Sequence, residues 1–211
     1  MRILQGLVMR SAFAGDFGAH IDTDLGKTLS EAKVSEEDYL HTCSLKLNDG
    51  KGSILLRAYK DGEHYYLSED DIIIASVIVN PNSHRVMGKN ATEVNSIAVL
   101  SSYQGRGIAT AIYAWLFRIY KCILGDSGQY VGDRKTWVRL SKLGKVSIVN
   151  VATGAVIAKD YKLKNEHDTT AWGNGGGKGE KGASGRGWTD EHNTRCLLTQ
   201  IATSKFVRVL D

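Results

Sequence analysis

Residues 97–109, Ile97-Ala98-Val99-Leu100-Ser101-Ser102-Tyr103-Gln104-Gly105-Arg106-Gly107-Ile108-Ala109, decide the fold. A β-branched apolar run passes through a glycine-bearing loop straight into a stretch whose apolar residues recur every three or four positions. A strand that turns into a helix in this way aims several unpaired backbone N–H groups, and the positive end of a helix dipole, at one spot that suits an anion. Gly105 and Gly107 have no side chain to hold a phosphate off the backbone, and small Ala109 lets the first helical turn come close. A pyrophosphate fits such a place. The loop has neither the Lys-Ser/Thr ending of a Walker loop nor the three-glycine dinucleotide fingerprint.

Working outward, the strand begins at Glu93 and runs over 93–100, and the helix runs over 107–120. Upstream, 53–59 and 71–79 are β-branched-rich runs separated by Lys60-Asp61-Gly62-Glu63, a turn composition, and are expected to pair as antiparallel neighbours. A polar connector, 80–90, follows, with Pro81 interrupting strand pairing. The first stretch, 3–10, reads as a short strand, and 11–49 as irregular chain around one helix near 28–40. Downstream come a short strand at 122–124, a helix over 133–143 and a hairpin of 146–151 with 155–158. Residues 173–187 hold eight glycines and a net local charge of +2, which predicts a mobile loop anchored by Trp172 and Trp188. A short helix over 190–202 capped by Thr189, then a strand over 206–210, complete the expectation.

Gln104, Gly107 and Ala109, set between a strand and a helix, resemble the Gln/Arg-x-x-Gly-x-Gly/Ala signature of the GNAT N-acetyltransferase superfamily. The resemblance covers about residues 53–158 and is densest over 93–120. It implies an α/β (α+β) fold with a mixed, mostly antiparallel, centrally splayed sheet flanked by helices, in an acetyltransferase-like domain over 1–160 with a C-terminal extension over 161–211. It also implies acetyl coenzyme A as co-substrate, entering where the central strands separate. The backbone amides of Gln104, Gly105, Arg106, Gly107, Ile108 and Ala109 would then hold the pyrophosphate, and those of Val99 and Leu100 the acyl arm. Arg106 either adds charge at the phosphate or is a solvated loop arginine.

Acetyl transfer needs a neutral amine, so a base must take a proton from the ammonium form. Glu93 stands 11 residues before Gln104, where the histone-acetylating branch of the superfamily places its base, and strict alternation would set Glu93, Asn95, Ile97 and Val99 on one face. The plain alternative is a strand-end carboxylate in solvent. Trp137 stands where a tyrosine acid is usual, and an indole cannot serve as that acid; Tyr130 is the nearest substitute. The run 123–146 resembles small acetyltransferase-like proteins encoded by bacteriophages. The implied activity is acetyl transfer to a primary amine, of a protein lysine or a small molecule. Two other readings are a GNAT-fold enzyme that modifies a nucleobase and a non-catalytic phage binding or structural protein.

Composition bounds these readings. The chain has 211 residues, 42% hydrophobic and 24% charged, enough for one packed domain with a small annex. With 27 basic and 23 acidic residues the balance permits a nucleic-acid partner but does not call for one. Cys43, Cys122 and Cys196 lie far apart, offering neither a zinc pattern nor a disulfide framework, and the six dispersed histidines predict no metal. No segment approaches the roughly 20 apolar residues of a membrane span, so a soluble, cytoplasmic protein is expected, in a host cytoplasm if phage-encoded. Glu69-Asp70-Asp71 reads as a solvated turn before an attractor of cationic substrate. Nothing in the sequence sets an oligomeric state.

Overall fold

The computed structural model of the chain describes residues 24–47, 52–126, 131–172 and 193–210. The expected strand at 3–10, the glycine-rich loop 173–187, Trp188 and Tyr130 lie outside the described residues.

In chain order the elements are β1 (Tyr39–Lys46), β2 (Ser53–Asp61), β3 (His64–Glu69), β4 (Ile72–Val86), β5 (Lys89–Val99), α1 (Ile108–Tyr120), β6 (Ile123–Gly125), α2 (Val131–Leu143), β7 (Gly144–Asn150), β8 (Val156–Ala158), α3 (Thr169–Trp172), β9 (Thr194–Ile201) and β10 (Val207–Leu210). Among the described residues the strands form one sheet in the order β10-β1-β2-β3-β4-β5-β6-β9-β7-β8. Among the described strand pairs, only β5 and β6 run parallel. That fits the mostly antiparallel α+β class read from the sequence.

The sheet's two faces are covered differently. On one, α1 buries Ile108 and 110–116, and with Trp137 and Leu140 of α2 it packs on Val77, Val94, Ile123, Ile148 and Leu198. On the other, Leu25, Leu29 and Ala32 cover Tyr59, Tyr66, Ile73 and Ala98. Lys121, left-handed at φ 63°, closes α1 by donating its N–H to the Phe117 carbonyl.

Four sequence expectations change. The helix near 28–40 is a single turn: the Thr28 and Glu31 side chains cap each other's backbone amides, and Lys33 at φ 57° stops the turn as Val34 N–H reaches back to the Leu29 carbonyl. A 3₁₀ turn and then β1 follow. The runs 53–59 and 71–79 do not pair with each other, because β3 lies between them as a strand buried along most of its length. Gly62, left-handed at φ 59°, makes the β2–β3 turn. Pro81 does not end pairing either; it sits in a bulge, where the missing N–H is tolerated, and β4 continues to Val86.

The helix expected over 190–202 is β9, which runs between β6 and β7 with Arg195, Cys196, Leu197 and Leu198 buried. A strand covered on both faces shows no alternation, so its sequence does not distinguish it from a helix. Residues that the sequence reading puts in a C-terminal extension thus supply an inner strand (β9) and an edge strand (β10) of the same sheet.

Candidate active site

The site begins where the sheet opens. Along β4, β5 is paired from Lys89 to Val99, but along β6 it is paired only at Thr92, Glu93 and Val94. Residues 95–99 therefore have a free edge on the β6 side, about 13 Å long at 3.3 Å per residue.

A register shift opposite Ile78 and Val79 inserts Asn95 as an extra residue, a β-bulge between Val94 and Ser96. It changes which groups face the opening. Leu100 N–H donates to the Ile74 carbonyl at 2.8 Å, and hydrogen-bonded pairs alternate in an antiparallel ladder. Val99 and Ile97 therefore turn their amides away from β4, toward the free edge. Leu100, expected to offer its amide to the acyl arm, is thus committed to β4; Val99 and Ile97 are the residues whose amides point outward.

At the end of the open edge the chain turns through 3₁₀ residues Ser101–Tyr103 into Gln104. The Gln104 side-chain amide donates to the Val99 carbonyl at 2.9 Å, tying the loop to the strand. Gly105 is left-handed at φ 75°, and a Cβ built there would meet no atom within 4 Å. Gly107, at φ 89°, is the N-cap of α1 and gives no side-chain cap, so the amides of Ile108, Ala109 and Thr110 have no intrahelical acceptor. Arg106 lies over the Tyr103 ring at 5.3 Å, and the Tyr103 hydroxyl donates to Glu69, which fixes the loop's outer side.

Facing this loop is the start of α2. Gly132, Asp133, Lys135, Thr136 and Arg139 line the far wall of a cleft of about 420 Å³ whose near wall is Ile97, Val99, Tyr103, Gln104, Gly105 and the first turn of α1. Lys135 and Arg139, one turn apart, bring two cations to a cleft already supplied with free amides. Sequence reading passed over both; their i, i+4 spacing was visible, but not that this side of α2 would face the loop.

Glu93 is not in that wall. The bulge breaks the alternation, so Glu93 falls on the opposite face from Ile97 and Val99, beside Leu124 in register. This corrects the expectation of one shared face. Its Oε2 lies 3.6 Å from His84 Nε2. Burial, then the charge of Asp126, push its carboxyl above the ordinary glutamate range, while His84 and Arg195 pull it back. Glu93 is therefore no solvated strand-end carboxylate. His84, Asp126 and Arg195 are residues that sequence reading missed, since only the packing of β4, β5, β6 and β9 brings them together.

Trp137 is fully buried, edge-on to Tyr113 at 5.1 Å between ring centroids, and belongs to the core. Tyr113 is buried with it, and burial holds its hydroxyl protonated far above neutral pH. The three cysteines are free and buried. Among the described residues there is no cluster of potential metal ligands, and no helix is long and apolar enough to cross a membrane.

Residues 29–126 match the family model described as acetyltransferase (GNAT) family. A solved structure, diaminobutyrate acetyltransferase from Paenibacillus lautus in complex with L-2,4-diaminobutyric acid and coenzyme A, is 15% identical at a TM-score of 0.31, over 42% of this chain and 56% of that chain. The match thus spans little more than half of that enzyme's chain. No curated protein matches the chain.

Proposed function

We propose that this chain, whose residues 29–126 carry a GNAT-family segment, is an acetyl-coenzyme-A-dependent N-acetyltransferase acting on a primary amine. The observation that carries the reading is the unpaired half of β5 leading into a glycine loop and an uncapped helix N-terminus, across a cleft from Lys135 and Arg139.

The residues present fit acetyl coenzyme A. Amides from Gln104 to Ala109 are placed for the pyrophosphate, with Lys135 and Arg139 opposite them as counter-charges. The outward amides of Val99 and Ile97 are placed for an extended arm along the free edge, which ends at the Asn95 bulge. Bound there, the co-substrate supplies a thioester acyl group. In this reading the acceptor approaches past the end of β6, from the face that carries Glu93.

Glu93 and Asp126 put two carboxyl groups at that face, beside Arg195. Glu93, with its raised pKa, is suited to take the ammonium proton, because a base works best when its pKa approaches the working pH. A protein lysine and a small amine both satisfy this chemistry. The reading includes a cytoplasmic location, in keeping with three cysteines that are free and buried.

Calorimetric titration with acetyl coenzyme A tests the reading, together with mass spectrometry of protein purified from cells. Binding of the coenzyme, or co-purification of coenzyme A, is expected. A protein that shows no affinity for it is not an acetyltransferase.

A further inference from the structure

We infer that His84 is the proton outlet of Glu93, a positioning residue that acts through that carboxylate; the inference rests on reading Glu93 as the base. The same burial that raises the pKa of Glu93 makes it slow to give up the proton it has taken. A base in that position needs a route to water, and the geometry supplies one.

Between the register pairs Asn80/Glu93 and His84/Ala91, β4 carries three residues against one on β5, with Asn82 left-handed at φ 56°. This bulge around Pro81 sets His84 beside Glu93 on the face away from α1. The side chain of Glu93 is 14% exposed and that of His84 32%, so the pair steps from a shielded carboxyl outward to a ring that meets solvent. The groups that face the pair from neighbouring elements are Asp126, just past β6, and Arg195 on β9. Their opposite charges leave the imidazole as the group able to both accept and release a proton.

The step balances as follows. The acceptor's ammonium group loses one proton to a Glu93 carboxylate oxygen, and the freed nitrogen forms the N–C bond to the acetyl carbon as the C–S bond breaks. The second amine proton ends on the departing thiolate by way of water. Glu93 Oε2–H passes its proton to Nε2 of the Nδ1–H tautomer of His84, the imidazolium releases its Nδ1 proton to solvent, the carboxylate is restored, and proton exchange with water returns the ring to its Nδ1–H tautomer. The 3.6 Å separation lies just beyond hydrogen-bond length, and contacts of this kind tighten when substrate binds.

The test compares His84→Gln, His84→Ala and Glu93→Gln, following thiol release from acetyl coenzyme A with a lysine-containing peptide and with 1,4-diaminobutane. A carboxyl NMR titration of Glu93 is recorded beside it. In His84→Gln, kcat is expected to fall about tenfold near neutral pH with KM for the amine unchanged, and the Glu93 midpoint to move upward. Added imidazole is expected to restore His84→Ala but not the double variant with Glu93→Gln. If Glu93→Gln loses turnover while His84→Gln keeps its kcat and the Glu93 midpoint stays put, the outlet is wrong and the base stands. A rise confined to KM would make His84 a substrate contact and overturn the outlet. Full turnover in Glu93→Gln would sink the base, and the outlet with it, whatever the titration shows.

Discussion

Two parts of one strand, β5, meet opposite fates. Residues 92–94 lie between β4 and β6, with Thr92 and Val94 buried; residues 95–99 keep β4 alone and leave their other edge open. The first part is paired on both edges and the second on one. The difference lies not in the side chains but in where β6 stops, since its three residues run out at Gly125, opposite Val94. One bulged residue, Asn95, sits at the boundary and sends Glu93 to one face and Ile97 and Val99 to the other. A short parallel strand thus leaves part of β5 unpaired, with the glycine loop beyond one end of the open edge and the Glu93 carboxylate just past the other.

The sharpest way to test that contrast is stability. Ile123, fully buried beside Thr92, belongs to the closed half, and Ile123→Ala is expected to cost about 2–5 kcal/mol. Ile97→Ala in the open half should cost roughly 1 kcal/mol, because only part of its side chain leaves water. Urea unfolding of the two variants measures both, and equal losses would mean that the open half is packed as core.

Binding is the next largest effect. Gly107→Val forces a branched side chain into φ 89°, which strains the turn by about 1–2 kcal/mol and puts carbon in the path of a phosphate. Affinity for acetyl coenzyme A is expected to fall about tenfold or more with the far-UV circular dichroism retained. A folded variant that binds normally would move the phosphate off this loop. Across the cleft, Lys135→Ala and Arg139→Ala should each weaken binding by about threefold at low salt, the ordinary worth of partly exposed charge contacts. The deficit should shrink as salt is raised, and a salt-independent loss would point to packing instead.

The smallest effect is a slope. Because the folded-state pKa of Glu93 lies above the ordinary 4.5, the native protein binds this proton more tightly than the unfolded chain does. Stability from this group is then present at low pH and declines as pH rises from 4.5 through the raised native value. Glu93→Gln is expected to flatten that decline and to melt higher than wild type at neutral pH. Parallel melting curves of the two proteins across pH 4 to 8 would show the carboxylate is not shielded in the fold.

Much of this was legible in order. The apolar repeat from Ile108 to Tyr120, the β-branched runs of β2 and β4, and the glycine loop at Gly105 and Gly107 announce themselves because each pattern is local. β3 and β9 did not. His64-Tyr65-Tyr66-Leu67-Ser68-Glu69 is short and polar-ended, and Arg195-Cys196-Leu197-Leu198 has no period, because both lie inside the sheet and are covered on both faces. At Thr28 a capped turn looked like the start of a helix, and Lys33 ended it one turn later.

By itself the sequence determined the strand–loop–helix turn with its free amides, and placed a carboxylate upstream on the same strand, because backbone preference and hydrophobic period act over a few residues. Only the tertiary structure decided what those pieces face. The length of β6, the bulge at Asn95, the seating of β9 beside β6 and the register that brings His84 to Glu93 are long-range pairings. A one-residue shift in register turns a side chain to the other face of a sheet, and no local pattern records the shift. That is why the glycine loop could be read from residues 97–109, while the face on which Glu93 lies could not.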